Sequence, residues 1–316
     1  MFSLLGGIYL GWSLGANNAA NVFGSAVASR MVKFSTAAIL ASLFVLLGAL
    51  LEGQAGIETL RGLTSLNPQT AVISSVAAAC TVTIMTVFGL PISTSQAAVG
   101  AILGIGLLNN QLNLPGLGKV LACWLGTPVG GLIIGITIYK GLAAVYNVAN
   151  IDLIKSDVLL RVSLIAAGSY GAYALGANNV ANVAAVFVGA GLLTVFSATL
   201  IGGLSIGCGI LTFSRPVMET VGKKLVRLDA FSALVVVLAV AFTAHIYAFV
   251  GVPVSTSQAV IGAVLGIGIL RGVNTINRRT LMHILVGWFL TPIVACLLAM
   301  ALNFAIHLRY VPSGSG

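Results

Sequence analysis

The chain has 316 residues, of which 59% are hydrophobic and only 7% are charged, and its mean hydropathy is +1.10. A soluble domain has too little interior to hide this much apolar surface, so the composition excludes soluble enzymes and soluble binding modules. The net charge of +9 does not indicate nucleic-acid binding, because Lys and Arg lie singly or in small groups between apolar segments, as they do in the loops of a membrane protein.

Apolar segments long enough to cross a bilayer, about 17–25 residues each, follow one another along the chain. Examples are residues 36–51, 120–139, 231–249 and 281–304. They lack the alternating pattern of a barrel strand, so we predict an all-α polytopic membrane protein. Segment 2–28 has no basic start and no cleavage site, so we expect it to be retained and not removed as a signal peptide.

The two halves of the chain are related by a tandem duplication with an offset of about 161–164 residues. GANNAAN at 15–21 matches GANNVAN at 176–182, GLPISTSQ at 89–96 matches GVPVSTSQ at 251–258, and WLGTP at 124–128 matches WFLTP at 288–292. We therefore predict a first membrane repeat at 1–148, a linker at 149–157, a second membrane repeat at 158–310 and a flexible tail at 311–316.

Loop charges predict that the repeats have inverted topology. Arg30 and Lys33 follow the first span of the first repeat, whereas the loop near Gly189 in the second repeat has no charge. Under the positive-inside rule the repeats insert upside down relative to each other, with both chain ends outside. Each repeat then has an odd number of crossings: five if 70–108 forms two full spans, three if it forms a re-entrant hairpin.

The repeated serine and threonine motif predicts an anion site. Pro91 and Pro253 break the incoming helix, and Ser93 or Ser255 can cap a new one, leaving free N–H groups at a positive helix end. The alternative is that these hydroxyls bond back to their own helix at a proline kink. The candidate anion ligands of the two motifs are Ser93, Thr94, Ser95, Gln96, Ser255, Thr256, Ser257 and Gln258.

The two asparagine motifs place three amides within five positions of an apolar span. Unmet amides are costly in lipid, and Gly15 and Gly176 would permit local unwinding that frees backbone carbonyls. Amide oxygens suit Na⁺, and amide N–H groups suit an anion; an asparagine-mediated helix interface is the alternative. The candidate ligands are Asn17, Asn18, Asn21, Asn178, Asn179 and Asn182. With no Lys or Arg near these motifs in sequence, the pattern favours cation-coupled symport.

Taken together, the paired asparagine motifs, the paired serine motifs and the stretch GILTFSRPVMETVGKKL at 209–225 resemble the inorganic phosphate transporter (PiT) family over essentially the whole chain. The resemblance implies inverted repeats, broken helices and re-entrant hairpins, phosphate bound by the hairpins together with Asn18 and Asn179, and Na⁺ or H⁺ coupling by alternating access. It also favours the re-entrant hairpin for 70–108.

The chain departs from this family at Asn18 and Asn179, where many members have Asp. Proton coupling through these positions is then unavailable, so Na⁺ is the expected coupling ion, with H⁺ coupling as an alternative. Glu52 matches a family glutamate and could ligate Na⁺, or it could be an interfacial residue at a helix end. Sulfate is the second candidate substrate, and a passive anion channel is the third candidate function.

Other signals carry less weight. GLSIG at 203–207 fits an esterase pattern, but it lies in an apolar span, so we expect no enzyme. The four cysteines, Cys80, Cys123, Cys208 and Cys296, indicate neither a disulfide nor a metal site. We thus expect a cell-membrane protein with phosphate, Na⁺ and the lipid bilayer as partners, no resident cofactor and no nucleic acid. Its glycine-rich faces would permit a homodimer.

Overall fold

The computed structural model describes residues 2–87, 92–149, 153–224, 229–272 and 278–310, and every element in these ranges is helical. A short 3-10 helix, Phe2–Leu4, precedes the α-helices. Those are α1 (Leu5–Ala28), α2 (Phe34–Glu52), α3 (Gln54–Arg61), α4 (Pro68–Val87), α5 (Thr94–Leu108), α6 (Leu114–Ala149), α7 (Leu153–Gly189), α8 (Val195–Lys224), α9 (Ala230–Val250), α10 (Thr256–Arg271) and α11 (Arg278–Tyr310).

Seven of the described helices are long and apolar enough to cross a membrane, namely α2, α4, α6, α7, α8, α9 and α11. The four apolar segments predicted above fall in α2, α6, α9 and α11. The protein is therefore a multi-pass membrane protein, as its composition predicted. Helix α7 begins at Leu153, inside the stretch predicted as the linker, and the predicted tail at 311–316 lies outside the described residues.

Helix packing is reciprocal between the two halves. Helix α1 packs along α8 and α2 packs along α7; likewise, α5 packs on α11 and α10 packs on α6. Helices α4 and α9 contact α11 and α6, respectively. Every pair in this set has its counterpart under exchange of the two repeats, as two copies related by a pseudo-twofold axis would require. The inverted orientation of those copies stays a prediction.

Glycines in the asparagine motifs allow close backbone contact and do not unwind the helix. A Cβ on Gly15 would lie 1.9 Å from the Ile206 carbonyl oxygen, and one on Gly176 would lie 2.0 Å from that of Val45. Both α1 and α7 run unbroken through their motifs. The expectation of local unwinding and freed carbonyls was therefore wrong, because the missing side chain serves helix packing instead.

The helices after the serine motifs use their glycines in the same way. A Cβ on Gly100 would lie 2.4 Å from the Pro292 carbonyl oxygen, and one on Gly262 would lie 2.0 Å from that of Pro128. The motif helix of each repeat is thus held tightly against the last helix of the other repeat. The absence of a side chain at Gly100 and Gly262 therefore permits the close packing of α5 and α10.

Two helical hairpins bring the serine motifs into the interior. Hairpin 1 consists of α4 and α5, and hairpin 2 consists of α9 and α10. Thr94, at the start of α5, is hydrogen-bonded to Asn18 near the middle of α1, so the tip of hairpin 1 lies level with the centre of that helix. This depth is what a re-entrant hairpin requires, although α4 and α9 are each long enough to span. Pro91 lies outside the described residues.

Candidate functional site

The serine motifs begin new helices at the hairpin tips. Ser93 Oγ accepts a hydrogen bond from the Gln96 backbone N–H at 3.3 Å, and Ser255 Oγ accepts one from that of Gln258 at 3.4 Å. The predicted caps are thereby confirmed. The sequence predicted free N–H groups at both helix starts, and for Gln96 and Gln258 this prediction was wrong, because the capping hydroxyls accept from their N–H groups. The first turns of α5 and α10 still present a positive helix end toward the interior.

The tip of hairpin 1 meets the asparagine motif of α7. Ser95 Oγ lies within donor distance of Asn179 Oδ1, at 3.2 Å, and of the Val254 carbonyl oxygen, at 3.1 Å. Asn182 donates from Nδ2 to Ser95 Oγ and to Asn179 Oδ1, at 3.0 Å in each case. Ser95, Asn179 and Asn182 are at most 2% exposed. The bond to Val254 also joins the two hairpin tips directly.

The tip of hairpin 2 meets the asparagine motif of α1. Asn21 Nδ2 donates to Thr256 Oγ1 at 2.8 Å and to Ser257 Oγ at 3.4 Å. Asn18 Nδ2 donates to Thr94 Oγ1 of hairpin 1 at 3.2 Å. Asn18 is buried, whereas Asn21 and Ser257 are only partly buried. The structure therefore brings both asparagine motifs and both serine motifs, predicted separately from sequence, into one polar centre.

Asn178 fixes the extended backbone of hairpin 2. Its Nδ2 donates to the Val252 carbonyl at 3.2 Å, and its Oδ1 accepts from the Val254 N–H at 2.9 Å. Trp124 Nε1 donates to the Pro253 carbonyl at 3.3 Å. These contacts satisfy backbone groups where the helix is broken. The cation role predicted for Asn178 stays a prediction. Asn17, the counterpart of Asn178 in the first repeat, is partly buried. The backbone segment of hairpin 1 that corresponds to residues 252–254 includes residues outside the described ranges.

Several buried polar atoms of this centre lack a hydrogen-bond partner among the described residues. They are Gln96 Oε1, Gln258 Oε1, Asn182 Oδ1 and Asn179 Nδ2. Each buried polar atom left without a partner costs about 1–3 kcal/mol, so a ligand that hydrogen-bonds to these atoms would recover that free energy. Three of these atoms are amide oxygens that suit a hard cation, and one is an N–H donor that suits an anion.

The centre is built from neutral groups. Its hydroxyls, amides and helix ends carry no formal charge, and the described part of the chain has no group of three His, Cys, Asp or Glu residues that could hold a metal ion. A bound anion would thus be stabilised by dipoles and by any cation bound beside it. A transition-metal site is not indicated by these donors, which are all neutral oxygens and amides.

Glu52 lies in a different polar group. Its Oε2 is 2.6 Å from His245 Nε2, and His245 Nδ1 is 2.7 Å from the Tyr170 hydroxyl. No hydrogen bond described for Glu52 reaches the asparagines, and its assignment as a Na⁺ ligand stays a prediction. The pairing of Glu52 with His245 could not be predicted locally, because the two residues are far apart in the chain.

A basic residue approaches hairpin 2 from outside its motif. Lys119 Nζ, on α6, donates to the Val250 carbonyl at 2.7 Å, at the C-terminal end of α9. A cation here is favoured because unsatisfied carbonyls gather at a helix C-terminus. No Lys or Arg lies near the motifs in sequence, but the fold brings Lys119 to the end of α9, next to the motif of hairpin 2.

A bundle of membrane helices with a buried polar centre between two broken-helix tips is the architecture of a secondary membrane transporter. A solved structure described as "The sodium-dependent phosphate transporter" superposes with a TM-score of 0.85 at 24% identity, covering 98% of this chain and 100% of that one, which shows the shared fold. The model of the phosphate transporter family matches residues 14–299. The chain belongs to the phosphate transporter family, and the predicted PiT resemblance is confirmed.

Relatives of this chain fall in both archaea and bacteria. A Methanocaldococcus jannaschii protein provisionally named a phosphate permease is 29% identical over 295 residues, covering 93% of this chain and 94% of the relative. Sulfate permease CysP of Bacillus subtilis is 28% identical over 301 residues, covering 93% of this chain and 84% of the relative. The members compared are named as transporters and not as enzymes, in keeping with the expectation drawn from the sequence.

Proposed function

We propose that the protein is a secondary transporter that carries inorganic phosphate across the cell membrane together with Na⁺, by alternating access. The observation that supports this most directly is the set of buried, unpartnered amide atoms between the two hairpin tips. A purely structural polar cluster would satisfy its own groups, since an unmet polar atom in a membrane interior is costly.

The anion would be held by the hairpin tips. The hydroxyls of Ser95, Thr94, Thr256 and Ser257 and the first N–H groups of α5 and α10 converge on the same centre, and Asn179 Nδ2 offers a further donor. Oxyanions bind readily at helix N-termini. The full anion set is the one predicted from sequence: Ser93, Thr94, Ser95, Gln96, Ser255, Thr256, Ser257 and Gln258, with Asn18 and Asn179. The capping bonds of Ser93 and Ser255 give these two the role of shaping the tips.

Na⁺ would be held by amide oxygens. Asn182, Gln96 and Gln258 each present a buried oxygen without a partner. A dianionic or monoanionic phosphate in a neutral, buried site needs a compensating charge, and a co-bound cation supplies it. The likeness to a solved sodium-dependent transporter supports the choice of Na⁺ only at the level of shared architecture.

Alternating access is supported by the reciprocal packing of the two repeats. Two near-equivalent halves around one site can exchange their arrangements and expose the site to either side in turn. By the loop charges, both chain ends lie outside and the loop with Arg30 and Lys33 lies inside.

Sulfate is the second candidate substrate. Phosphate at neutral pH carries a proton that a selective site would recognise with an acceptor, and the centre has amides at positions 18 and 179 and no carboxylate hydrogen-bonded to it among the described residues. The sulfate permease among the relatives supports keeping this alternative.

Uptake into proteoliposomes tests the proposal. Purified protein is reconstituted, and uptake of radiolabelled phosphate is measured with and without an inward Na⁺ gradient and with unlabelled sulfate as competitor. We expect uptake that rises with the Na⁺ gradient and is insensitive to sulfate. Uptake that ignores Na⁺ would overturn the coupling, and strong competition by sulfate would favour the second substrate.

A further inference from the structure

The two halves of the polar centre contain the same residues but make different hydrogen bonds. We call Ser95, Asn179 and Asn182 the Ser95 latch, and we call their repeat counterparts Ser257, Asn18 and Asn21 the Ser257 latch. The offset of the duplication makes the two latches equivalent in sequence. Any difference between them therefore reports the conformation that the protein has adopted, and not a difference in composition.

The Ser95 latch is closed. Its three side chains bond to one another at 3.0–3.2 Å, and Ser95 additionally reaches the Val254 carbonyl of hairpin 2. All three are at most 2% exposed. Hydrogen bonds in such a buried, low-dielectric place are strong, so the tip of hairpin 1 is held against α7.

The Ser257 latch is not closed in the same way. Asn21 makes a 3.4 Å contact to Ser257 and a shorter one, 2.8 Å, to Thr256. Asn18 bonds to Thr94 of the other hairpin, and no hydrogen bond described among these residues joins Asn18 to Ser257. Asn21 and Ser257 are partly exposed. The polar centre is therefore less buried on the side of the Ser257 latch.

The course of helices α1 and α7 shows which way this less buried side faces. Beyond Asn21, α1 continues to Ala28 and the loop with Arg30 and Lys33, which the loop charges place inside the cell. Beyond Asn182, α7 continues to Gly189 at the opposite end of the bundle. A buried apolar cluster that includes Val252 and Val254 of hairpin 2 packs at that end.

We propose that the two latches close alternately and that this structure shows the state closed toward the outside and open toward the inside. In the opposite state Ser257 bonds to Asn18 Oδ1 and the 3.4 Å contact from Asn21 to Ser257 shortens, while Ser95 leaves Asn179 and Asn182. The inference rests on the proposed transport function and specifies which side chains gate it. Because each state closes one latch and opens its equivalent, the two states are close in energy and small changes shift their populations.

Removing one serine hydroxyl should therefore shift the equilibrium in a direction that depends on which latch loses it. Ser95→Ala weakens the latch that is closed here and favours the outward-open state, whereas Ser257→Ala weakens the opposite state and favours the one seen here. The loss of a net hydrogen bond corresponds to a shift of about 3- to 10-fold in the ratio of the two states. If both serines had only a structural role, the two variants would not shift the equilibrium in opposite directions.

Cysteine accessibility measures this shift. The full chain is made with Cys80, Cys123, Cys208 and Cys296 replaced by Ser or Ala, and a reporter is introduced either as Ser25→Cys or as Val186→Cys. Ser25 follows Asn21 and Val186 follows Asn182 by one helical turn, on the same face. In this structure Ser25 is partly buried and Val186 is 4% exposed. The probe is a membrane-impermeant methanethiosulfonate, applied from each side of sealed vesicles without substrate.

We expect the S25C reporter to react from the inside and the V186C reporter to be protected. Adding S95A should raise the V186C rate from the outside by about 3- to 10-fold and lower the S25C rate; adding S257A should leave V186C protected. Matched variants S95T and S257T keep the hydroxyl and should restore the parent rates. Equal shifts from S95A and S257A, or none in folded protein, would overturn the proposal.

Uptake measured on the same cysteine-substituted protein separates the two hypotheses. If it transports an oxyanion and the serine variants do not shift the labelling in opposite directions, the latch proposal alone fails. If it transports no oxyanion but the opposed labelling is present, the two states exist and the proposed substrate is wrong.

Discussion

The polar centre between the hairpin tips and the polar group around Glu52 differ in how many of their atoms have hydrogen-bond partners among the described residues. The polar centre between the hairpin tips is neutral, and four of its buried atoms lack a partner among the described residues. The group around Glu52 contains ionisable side chains, and the Glu52 carboxylate, the His245 imidazole and the Tyr170 phenol are partnered by one another. A search for charge alone would have chosen the second group.

The comparison favours the neutral centre as the proposed ligand site, because its unpartnered atoms retain hydrogen-bonding capacity for a ligand. An ionisable pair in a membrane is tolerable when its partners complete it, and it then has little capacity left for a ligand. Buried amides and hydroxyls without hydrogen-bond partners cost stability, and a transported ion that binds to them, as proposed, would offset that cost.

The largest expected effect comes from removing both tip hydroxyls. The S95A/S257A double variant should lower phosphate affinity by more than about 100-fold, because two donors in a buried site are lost together. Equilibrium binding of radiolabelled phosphate to purified protein measures this. The control is Thr137→Val, since Thr137 bonds only to the Ile133 carbonyl of its own helix among the described contacts. Unchanged affinity in folded double variant would remove the anion site from the hairpin tips.

The charged group should matter for stability and not for transport. His245→Ala leaves Glu52 without its hydrogen-bond partner and should destabilise the protein by about 2–3 kcal/mol, less than a fully buried pair because the side chains are 15% and 29% exposed. The double variant E52Q/H245Q should recover much of this loss. Thermal unfolding in detergent gives the stability and uptake gives the function. If E52Q/H245Q loses its Na⁺ dependence, Glu52 is a cation ligand after all.

A carboxylate placed in the neutral centre should make transport depend on pH. In Asn18→Asp the side chain repels phosphate when ionised and not when protonated, so the KM should rise about 10-fold at high pH and recover as the pH is lowered. The matched control is Asn113→Asp, an exposed residue at a loop. A pH profile of uptake that matches wild type in N18D would show that position 18 does not face the anion.

The smallest effect is expected at the membrane surface. Burial would raise the pKa of Asp229, but hydrogen bonds from the Ser232 N–H and from Arg271 outweigh it, and the pKa lies below its ordinary value of 3.8. This contribution is present above the unfolded-state pKa and is lost as the pH falls through the lower folded-state pKa. Arg271→Gln should cost under about 1 kcal/mol, since the pair is half exposed. Thermal unfolding of Arg271→Gln and wild type at neutral pH and at pH 3 measures this loss of stability. An equal loss at both pH values would contradict the prediction.

The helix breaks, the caps and the repeated motifs could be predicted because short stretches of sequence specify them. The proline and serine of the motif at 251–258 specify a helix break and a cap, and Ser255 caps α10 as predicted. The duplication located the second set of residues once the first was recognised. The composition and the length of the apolar segments sufficed for the helical membrane fold.

Tertiary contacts account for what the sequence did not show. Gly15 and Gly176 looked like points of unwinding, but their role depends on the backbone of Ile206 and Val45, which arrive from distant helices. The same holds for Lys119 at the end of α9 and for His245 beside Glu52. Which of two equivalent latches is closed is a property of the conformation and has no local sequence signal.

Locating the bound anion directly tests whether it binds between the hairpin tips. A structure determined with Na⁺ and arsenate, a heavier analogue of phosphate, would show the anion by its anomalous scattering. We predict a single site between the hairpin tips, within hydrogen-bond distance of the Ser95 and Ser257 hydroxyls. Arsenate bound elsewhere, with the amides of the polar centre still unpartnered, would contradict the account.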